Sequence, residues 1–203
     1  MKRLLLHLML KTTSVPVMPT ANPGHRLELL FLGGFDARLD GQPIAGFSYN
    51  KMRALLAYLA VERQQDYSRE VLADLLWSGN DPVTGRGNLR RTLADLRRVL
   101  GTTLFATSKH AIRFIPNAYI DVMDFTRQLP ADGGTAQSNA ERAVALYRGE
   151  LLAGLSLPDS PVFEGWLQAR RGARMPIVGS CVFMPYRAGR ARRLPSTTSA
   201  ATC

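Results

Sequence analysis

The spacing of apolar residues changes along the chain and predicts two kinds of secondary structure. Residues 27–32 and 35–39 are short β-rich runs separated by a Gly-Gly turn, which indicates a small hairpin-like sheet. From Tyr49 the period becomes helical, with apolar residues at i, i+3, i+4 and i+7 in a helix that ends near Glu62. The chain therefore passes from strands to helices near residue 49.

Capping residues predict where the next two helices begin and end. Ser68 is a suitable N-cap for a short second helix, which Trp77 closes. Asp81 followed by Pro82 opens a third helix, because aspartate caps well and proline suits the first helical position. Gly101 ends the third helix, since glycine is common just past the last helical residue.

A hairpin and a helical segment complete the predicted order. The runs 104–106 and 111–115 flank a polar turn at 107–110. Further helices are predicted at 121–129, 140–152 and 163–171. Three helices followed by a hairpin is the order of a winged helix-turn-helix, so the fold class is predicted as α+β, with a winged helix-turn-helix DNA-binding domain before a partial all-α module. The predicted divisions are a disordered leader at 1–26, a winged-helix DNA-binding domain at 27–116, a partial helical domain at 117–171 and an aberrant basic tail at 172–203.

The net charge of +10 is distributed unevenly, so it bears on function only in the segments where it is concentrated. From Arg170 to the end there are seven arginines and no acidic residue, so most of the excess belongs to the tail and is poor support for specific DNA binding. A second excess of basic over acidic residues is concentrated in one short segment, because Thr84–Arg113 holds seven basic residues and one aspartate. That excess lies on the third helix and the second hairpin.

The third helix separates an apolar stripe from a basic face. Leu89, Leu93, Leu96 and Leu100 fall on one side, and Arg91 and other basic residues on the opposite side, at about 100° per residue. A helix of this kind fits a major groove, where arginine and asparagine reach base edges and further basic residues bind phosphate. We expect base-edge contacts from Thr84, Asn88 and Arg91, and phosphate contacts from Arg90, Arg98, Lys109, Arg113 and, on the first helix, Lys51. The alternative is that the basic face is only a solvated surface.

Other functional classes find little support in the sequence. No Walker P-loop, nucleophile motif or metal-ligand spacing occurs among the three histidines and two cysteines, so we expect no enzyme activity, cofactor or metal. No stretch is apolar enough for a membrane span. The run Leu4–Leu10 is interpreted as part of an unstructured extension rather than a secretory signal, and a cytoplasmic location is expected. Two alternatives stay open: a protein–protein interaction module, and a non-functional truncated product with only nonspecific DNA affinity.

Several segments together resemble the Streptomyces antibiotic regulatory protein (SARP) family of transcriptional activators. They are LELLFLGGFDARLDGQPI, KMRALLAYLAVE, SREVLADLLW, NLRRTLADLRRVLG, FIPNAYIDVMDF, ALYRGELLAGL and FEGWLQARR, and they span about residues 27–171. The resemblance implies an OmpR-like winged helix followed by a tetratricopeptide-like bacterial transcriptional activator domain. It also implies an activator that binds direct repeats in double-stranded promoter DNA, as side-by-side copies or a homodimer on DNA, and contacts RNA polymerase. In that likeness 89–101 is the recognition helix and 107–110 is the wing tip.

The sequence departs from the family pattern in two places. Gly85 and Gly87 each cost about 1 kcal/mol relative to alanine in a helix interior, so the third helix is expected to start late or fray. After about Gly172 the helical pattern stops, and we interpret the rest as an out-of-frame tail on a truncated product, the rival being a genuine basic tail. A truncated helical module is expected to be poorly ordered. Its larger apolar residues should then be partly exposed or packed on the winged helix: Tyr147, Leu151, Leu155, Phe163 and Trp166.

Overall fold

The computed structural model describes residues 26–115, 118–128 and 137–172 of the chain. The predicted leader up to residue 25 and the predicted tail from residue 173 lie outside the described residues. Within the described ranges the chain forms six helices and two small sheets. This confirms the predicted mixture of α and β structure.

The order of elements follows the predicted change from strands to helices. The helices are α1 Asn50–Val61, α2 Arg69–Trp77, α3 Pro82–Leu100, α4 Asp121–Gln128, α5 Gln137–Leu146 and α6 Pro161–Gly172. The strands are β1 Leu27–Leu30, β2 Asp36–Leu39, β3 Gln42–Pro43, β4 Tyr67–Ser68, β5 Phe105–Thr107, β6 Ala111–Phe114 and β7 Ala118–Ile120. The sequence analysis did not predict β3, β4 or β7.

The first sheet has the strand order β3-β2-β1-β7. β1 pairs antiparallel with β2, placing Leu29 opposite Ala37, and parallel with β7, placing Leu29 opposite Ile120. Leu27 and Leu29 are buried and alternate with less buried neighbours, as expected for a strand with one face on the core. β7 lies in the predicted helical domain yet completes this sheet, and the predicted boundary at residue 116 stays a prediction.

The second sheet has the order β4-β6-β5 and contains the predicted second hairpin. Phe105 pairs with Phe114 across the hairpin, while Tyr67 of β4 pairs with Ile112. The turn is closed by Ser108, whose Oγ accepts hydrogen bonds from the backbone N–H groups of His110 and Ala111 at 3.2 and 2.9 Å. Because β6 pairs with β4, the hairpin is joined to the strand that leads directly into α2.

The predicted caps of α2 and α3 are confirmed. Ser68 Oγ accepts a hydrogen bond from the N–H of Val71 at 3.2 Å. Asp81 Oδ1 accepts from the N–H groups of Val83 and Thr84, both at 3.0 Å. A hydrogen bond from the Thr84 side chain, and then the backbone N–H groups of Thr84 and Val83, lower the pKa of the Asp81 carboxyl below its usual value. Both helices therefore begin where their polar side chains satisfy otherwise unpaired backbone donors.

The expectation that α3 starts late because of its two glycines is wrong. The helix is continuous from Pro82 to Leu100, and its first turn carries the Asp81 cap. Gly85 is buried against α2, where a Cβ atom would lie 3.7 Å from Ala73 Cβ, an ordinary packing distance. The Asp81 cap and the burial of this turn against α2 outweigh the lower helix propensity of glycine.

The prediction that the fifth helix continues to Leu152 is also wrong. α5 ends at Leu146, and residues 150–152 bond instead to the chain that follows β1. The N–H of Leu152 donates to Phe31 O at 2.7 Å, and the N–H of Gly33 donates to Glu150 O at 2.9 Å. A long-range backbone pairing has replaced the local helical bonds.

One apolar core connects the strands, α1, α2 and α3 with the segment that contains α6. Leu151, Leu155 and Phe163 are buried in it, and Tyr147 and Trp166 are partly buried against it. Leu151, Leu155 and Phe163 are therefore packed against the rest of the chain, while Tyr147 and Trp166 stay partly exposed. Among the described helices, none is both long and apolar enough to cross a membrane.

Candidate nucleic-acid interface

The inward face of α3 is the predicted apolar stripe. Leu89, Leu93 and Leu96 are buried, and Leu100 is partly buried at the end of the helix. The packing of this stripe fixes which side chains point outward, because residues about half a turn away must face the opposite side. The rotation of α3 therefore agrees with the prediction.

The outward face of α3 carries three basic side chains that pair with none of the described residues. Arg86, Arg90 and Arg91 are exposed and make no hydrogen bond or ion pair with any described residue. Asn88 is half-buried beside them, and Thr84 is exposed in the first turn. Arg86 was not among the predicted contact residues, but the continuous helix places it with the other two arginines.

Arg98, near the C-terminal end of α3, already has a carboxylate partner. Its Nη1 lies 2.9 Å from Asp95 Oδ1, one turn earlier on the same helix. Asp95 also accepts a hydrogen bond from the hydroxyl of Tyr49 at 3.0 Å, and that hydroxyl lies 3.1 Å from Thr92 Oγ1. Burial raises the pKa of Tyr49 above 10.0, so the hydroxyl stays a hydrogen-bond donor well above neutral pH. Tyr49 thus fixes the start of α1 against the middle of α3.

The hairpin adds one free and one paired cation. Lys109 at the turn is exposed and unpaired among the described residues, whereas Arg113 Nε lies 3.0 Å from Asp66 Oδ1. Arg97 of α3 orients the hairpin by donating from Nη2 to Thr107 Oγ1 at 2.6 Å. Arg69 donates from Nη2 to Ser108 O at 3.1 Å and has the same effect from α2. The sequence analysis did not foresee these two hairpin contacts, because they join separate elements.

A cleft of about 290 Å³ lies between the start of α1 and the outward part of α3. Its lining consists of Tyr49, Lys51, Trp77, Asn88, Arg91, Thr92 and Asp95. The structure therefore brings three predicted contact residues, Lys51, Asn88 and Arg91, to one place. Lys51 is less available than predicted, because its Nζ lies 2.6 Å from Asp159 Oδ2.

The comparisons with known proteins bear on the fold. No family model and no curated protein matches the chain. Among solved structures, it is similar to Mycobacterium tuberculosis EmbR in complex with a low-affinity phosphopeptide, with a TM-score of 0.64 and 22% sequence identity. The chain shares the fold of that part of EmbR. The match covers 81% of this chain and 48% of the EmbR chain, so this chain spans about half the length of the EmbR chain.

The EmbR-like fold described here holds no recognisable metal centre in the part of the chain that the structure describes. No group of three or more His, Cys, Asp or Glu side chains is gathered there in a way that could hold an ion. The polar side chains that do gather, on α3, the β5–β6 hairpin and the start of α1, are mostly basic. Such a surface suits a polyanion.

Proposed function

We propose that the chain is a transcription regulator that binds double-stranded DNA. In this proposal α2, α3 and the β5–β6 hairpin form a winged helix-turn-helix, with α3 as the recognition helix. The observation that carries it is the set of three exposed arginines on α3, Arg86, Arg90 and Arg91, which have no hydrogen-bond or ion-pair partner among the described residues. Guanidinium groups without protein partners can bind phosphate or base edges without first breaking an internal ion pair.

The predicted contact residues differ in how readily they can take part. Thr84, Asn88 and Arg91 are assigned to base edges, and Arg90 and Lys109 to phosphates. Arg98, Arg113 and Lys51 are assigned to phosphates as well, but each already has a carboxylate partner. Their net contribution to affinity should be smaller, because the phosphate must replace an existing ion pair.

The helical part of the chain extends the proposal beyond DNA. On the resemblance to the SARP family, we assign α4–α6 to the start of a tetratricopeptide-like bacterial transcriptional activator domain. The same resemblance supports activation from direct repeats, as side-by-side copies on the promoter, with contact to RNA polymerase in the cytoplasm. The predicted domain ranges, 27–116 and 117–171, belong to this proposal.

A binding titration on promoter fragments from the neighbouring genes, at two salt concentrations, tests the proposal. We expect salt-sensitive binding to one fragment, and a loss of about 5- to 150-fold in affinity for Arg91→Ala, as for one base-edge contact of about 1–3 kcal/mol. Arg127→Ala is the matched control, because it removes one exposed arginine from α4, and it should bind like the unaltered protein.

Binding that does not depend on the promoter sequence would contradict the proposal. Weak and equal binding to every fragment, unchanged by Arg91→Ala and lost on deletion of residues 172–203, would mean that only the basic C-terminal stretch binds DNA. The proposal would then be wrong, because nonspecific affinity of this kind comes from charge alone.

A further inference from the structure

Lys51 is held by a residue far away in the sequence. Its Nζ lies 2.6 Å from Oδ2 of Asp159, which belongs to the segment between α5 and α6. The Lys51 side chain is 17% exposed, while that of Asp159 is 67% exposed. The hydrogen bond from Lys51 lowers the pKa of Asp159, so the pair is ionic at neutral pH.

The position of Asp159 is fixed by the backbone next to it. Ser160 is fully buried, and its Oγ donates to Leu76 O on α2 at 2.6 Å. The N–H of Ser160 donates to Leu157 O at 2.8 Å, which closes a tight turn around Asp159. The carboxylate is therefore presented to Lys51 by an anchored turn and not by a free surface side chain.

The ammonium of Lys51 also faces the cleft between α1 and α3. It lies 5.4 Å from the centre of the Trp77 ring, a favourable arrangement for a cation. Asn88 and Arg91 line the same cleft and make no hydrogen bond or ion pair with any described residue. The cleft volume of about 290 Å³ is many times the ~30 Å³ that one water molecule occupies in the liquid.

We propose that this cleft binds one phosphodiester group of DNA, which displaces Asp159 from Lys51. Asp159 then competes with the DNA backbone for one cation. The turn before α6 therefore weakens DNA binding by the three-helix part of the chain, which is formed by α1, α2 and α3. The inference rests on the proposed function, and it adds a regulatory residue from outside the proposed DNA-binding surface. Movement of the α6 segment away from α2 would remove the competitor and strengthen binding.

The test is a double-mutant cycle on the full chain, with the promoter fragment that binds most tightly or, if none stands out, a mixed-sequence duplex. Asp159→Asn should raise affinity roughly two- to fivefold at low salt, the range expected for one exposed ion pair. Lys51→Gln should lower affinity and reduce the slope of log affinity against log salt by about 0.9, as for one lost phosphate contact. In the Lys51→Gln background, Asp159→Asn should bring no further gain.

Asp124→Asn is the control for charge alone, because it removes an acid from an exposed ion pair on α4. Equal affinity of Asp159→Asn and Asp124→Asn, or an equal gain from Asp159→Asn with and without Lys51, overturns the inference. If Arg91→Ala still lowers the affinity for that fragment by the expected factor of about 5 to 150 in that case, the proposed function stands. If the unaltered protein binds no DNA, both proposals fail together.

A second arm identifies the source of the phosphate. Inorganic phosphate is added at constant ionic strength while the fluorescence of Trp77 is followed in a Trp166→Phe background. A DNA-induced change that inorganic phosphate does not reproduce supports a phosphodiester ligand. An equal change with inorganic phosphate alone, at concentrations that leave DNA binding intact, overturns the assignment of the cleft to DNA.

Discussion

At the scale of single residues, Asp121 shows how a buried charge can be entirely structural. Its carboxylate accepts hydrogen bonds from the N–H groups of Phe31 and Leu32, at 2.8 and 3.0 Å, just after β1. It also accepts from Val122 at 2.7 Å and pairs with Arg148 Nη2 at 2.9 Å. A carboxylate that is 3% exposed is tolerated only because such partners replace its water shell.

We expect Asp121→Asn to lower the free energy of unfolding by about 2–4 kcal/mol, because an amide cannot accept from all these donors and leaves Arg148 without a counter-charge. Urea denaturation of the full chain measures the change. Asp124→Asn, in the exposed pair with Arg127, should stay within about 0.5 kcal/mol. Equal losses for the two variants would contradict this account of Asp121.

Tyr58 predicts how stability depends on alkaline pH. Burial, and then the neighbouring Tyr67, raise its pKa from 10.0 to about 12. The folded state holds this proton more tightly than the unfolded state. The protonated hydroxyl therefore contributes fully to the free energy of unfolding below pH 10, and this contribution is lost as the pH rises towards 12. Tyr58→Phe should therefore flatten the alkaline fall in urea-unfolding free energy. An unchanged pH profile would mean that the hydroxyl does not titrate in this way.

At the scale of elements, Gly87 lowers the helix propensity of α3 without serving its packing. Gly87 lies in the helix interior, and a Cβ there would meet open space. Gly87→Ala should therefore raise the free energy of unfolding by about 0.5–1 kcal/mol, since alanine has the better helix propensity. Thermal unfolding checks this.

Gly46→Ala is the contrasting control for that substitution. Gly46 has φ 105, and an added Cβ would lie 2.8 Å from Val99 Cγ2. This variant should be destabilised, because the backbone conformation and the contact both disfavour a side chain. Stabilisation by both substitutions would show that helix propensity does not explain the effect at Gly87.

Local chemistry in the sequence predicted the helix starts well and the long-range pairings poorly. Ser68 and Asp81 were identified as caps because a cap depends on residues within one turn. The end of α5 was missed because Leu152 bonds to Phe31, a residue far away in the sequence. The pairing of Lys51 with Asp159 was missed for the same reason. The sequence therefore did not show which of the predicted basic contact residues have a partner among the described residues. Strands of two or three residues, such as β4 and β7, are too short to show a period.

At the scale of the whole molecule, α6 joins the helical segment to the three-helix part. Trp166 Nε1 donates to Glu62 Oε1 at 2.8 Å, and Arg170 pairs with the same carboxylate. The Trp166 ring also packs edge-on against Tyr58, with the ring centres 5.1 Å apart. One side chain thus supplies both apolar contact and a hydrogen bond across this junction.

We expect Trp166→Ala to lower the free energy of unfolding by about 2–4 kcal/mol, below the full cost for a core tryptophan because the ring is only partly buried. Trp166→Phe keeps most of the packing and should lose about 1–2 kcal/mol with the hydrogen bond to Glu62. Val162→Ala, at a side chain 46% exposed on the same helix, is the control for a general effect on α6. A loss no larger than this control would show that the junction is not stabilised by Trp166.

The pairing of β1 has a consequence for how this protein can be made. β2 follows β1 closely in the sequence and pairs with one of its edges. The other edge of β1 can be paired only after β7, which ends at Ile120, has been synthesised. On the ribosome, that edge stays open until Ile120 has left the exit tunnel. A recombinant fragment that stops at residue 116 would keep it open permanently, with unpaired backbone groups that invite strand-to-strand aggregation. A soluble fragment that contains α1, α2 and α3 should therefore extend at least through β7 and the Asp121 carboxylate beyond it.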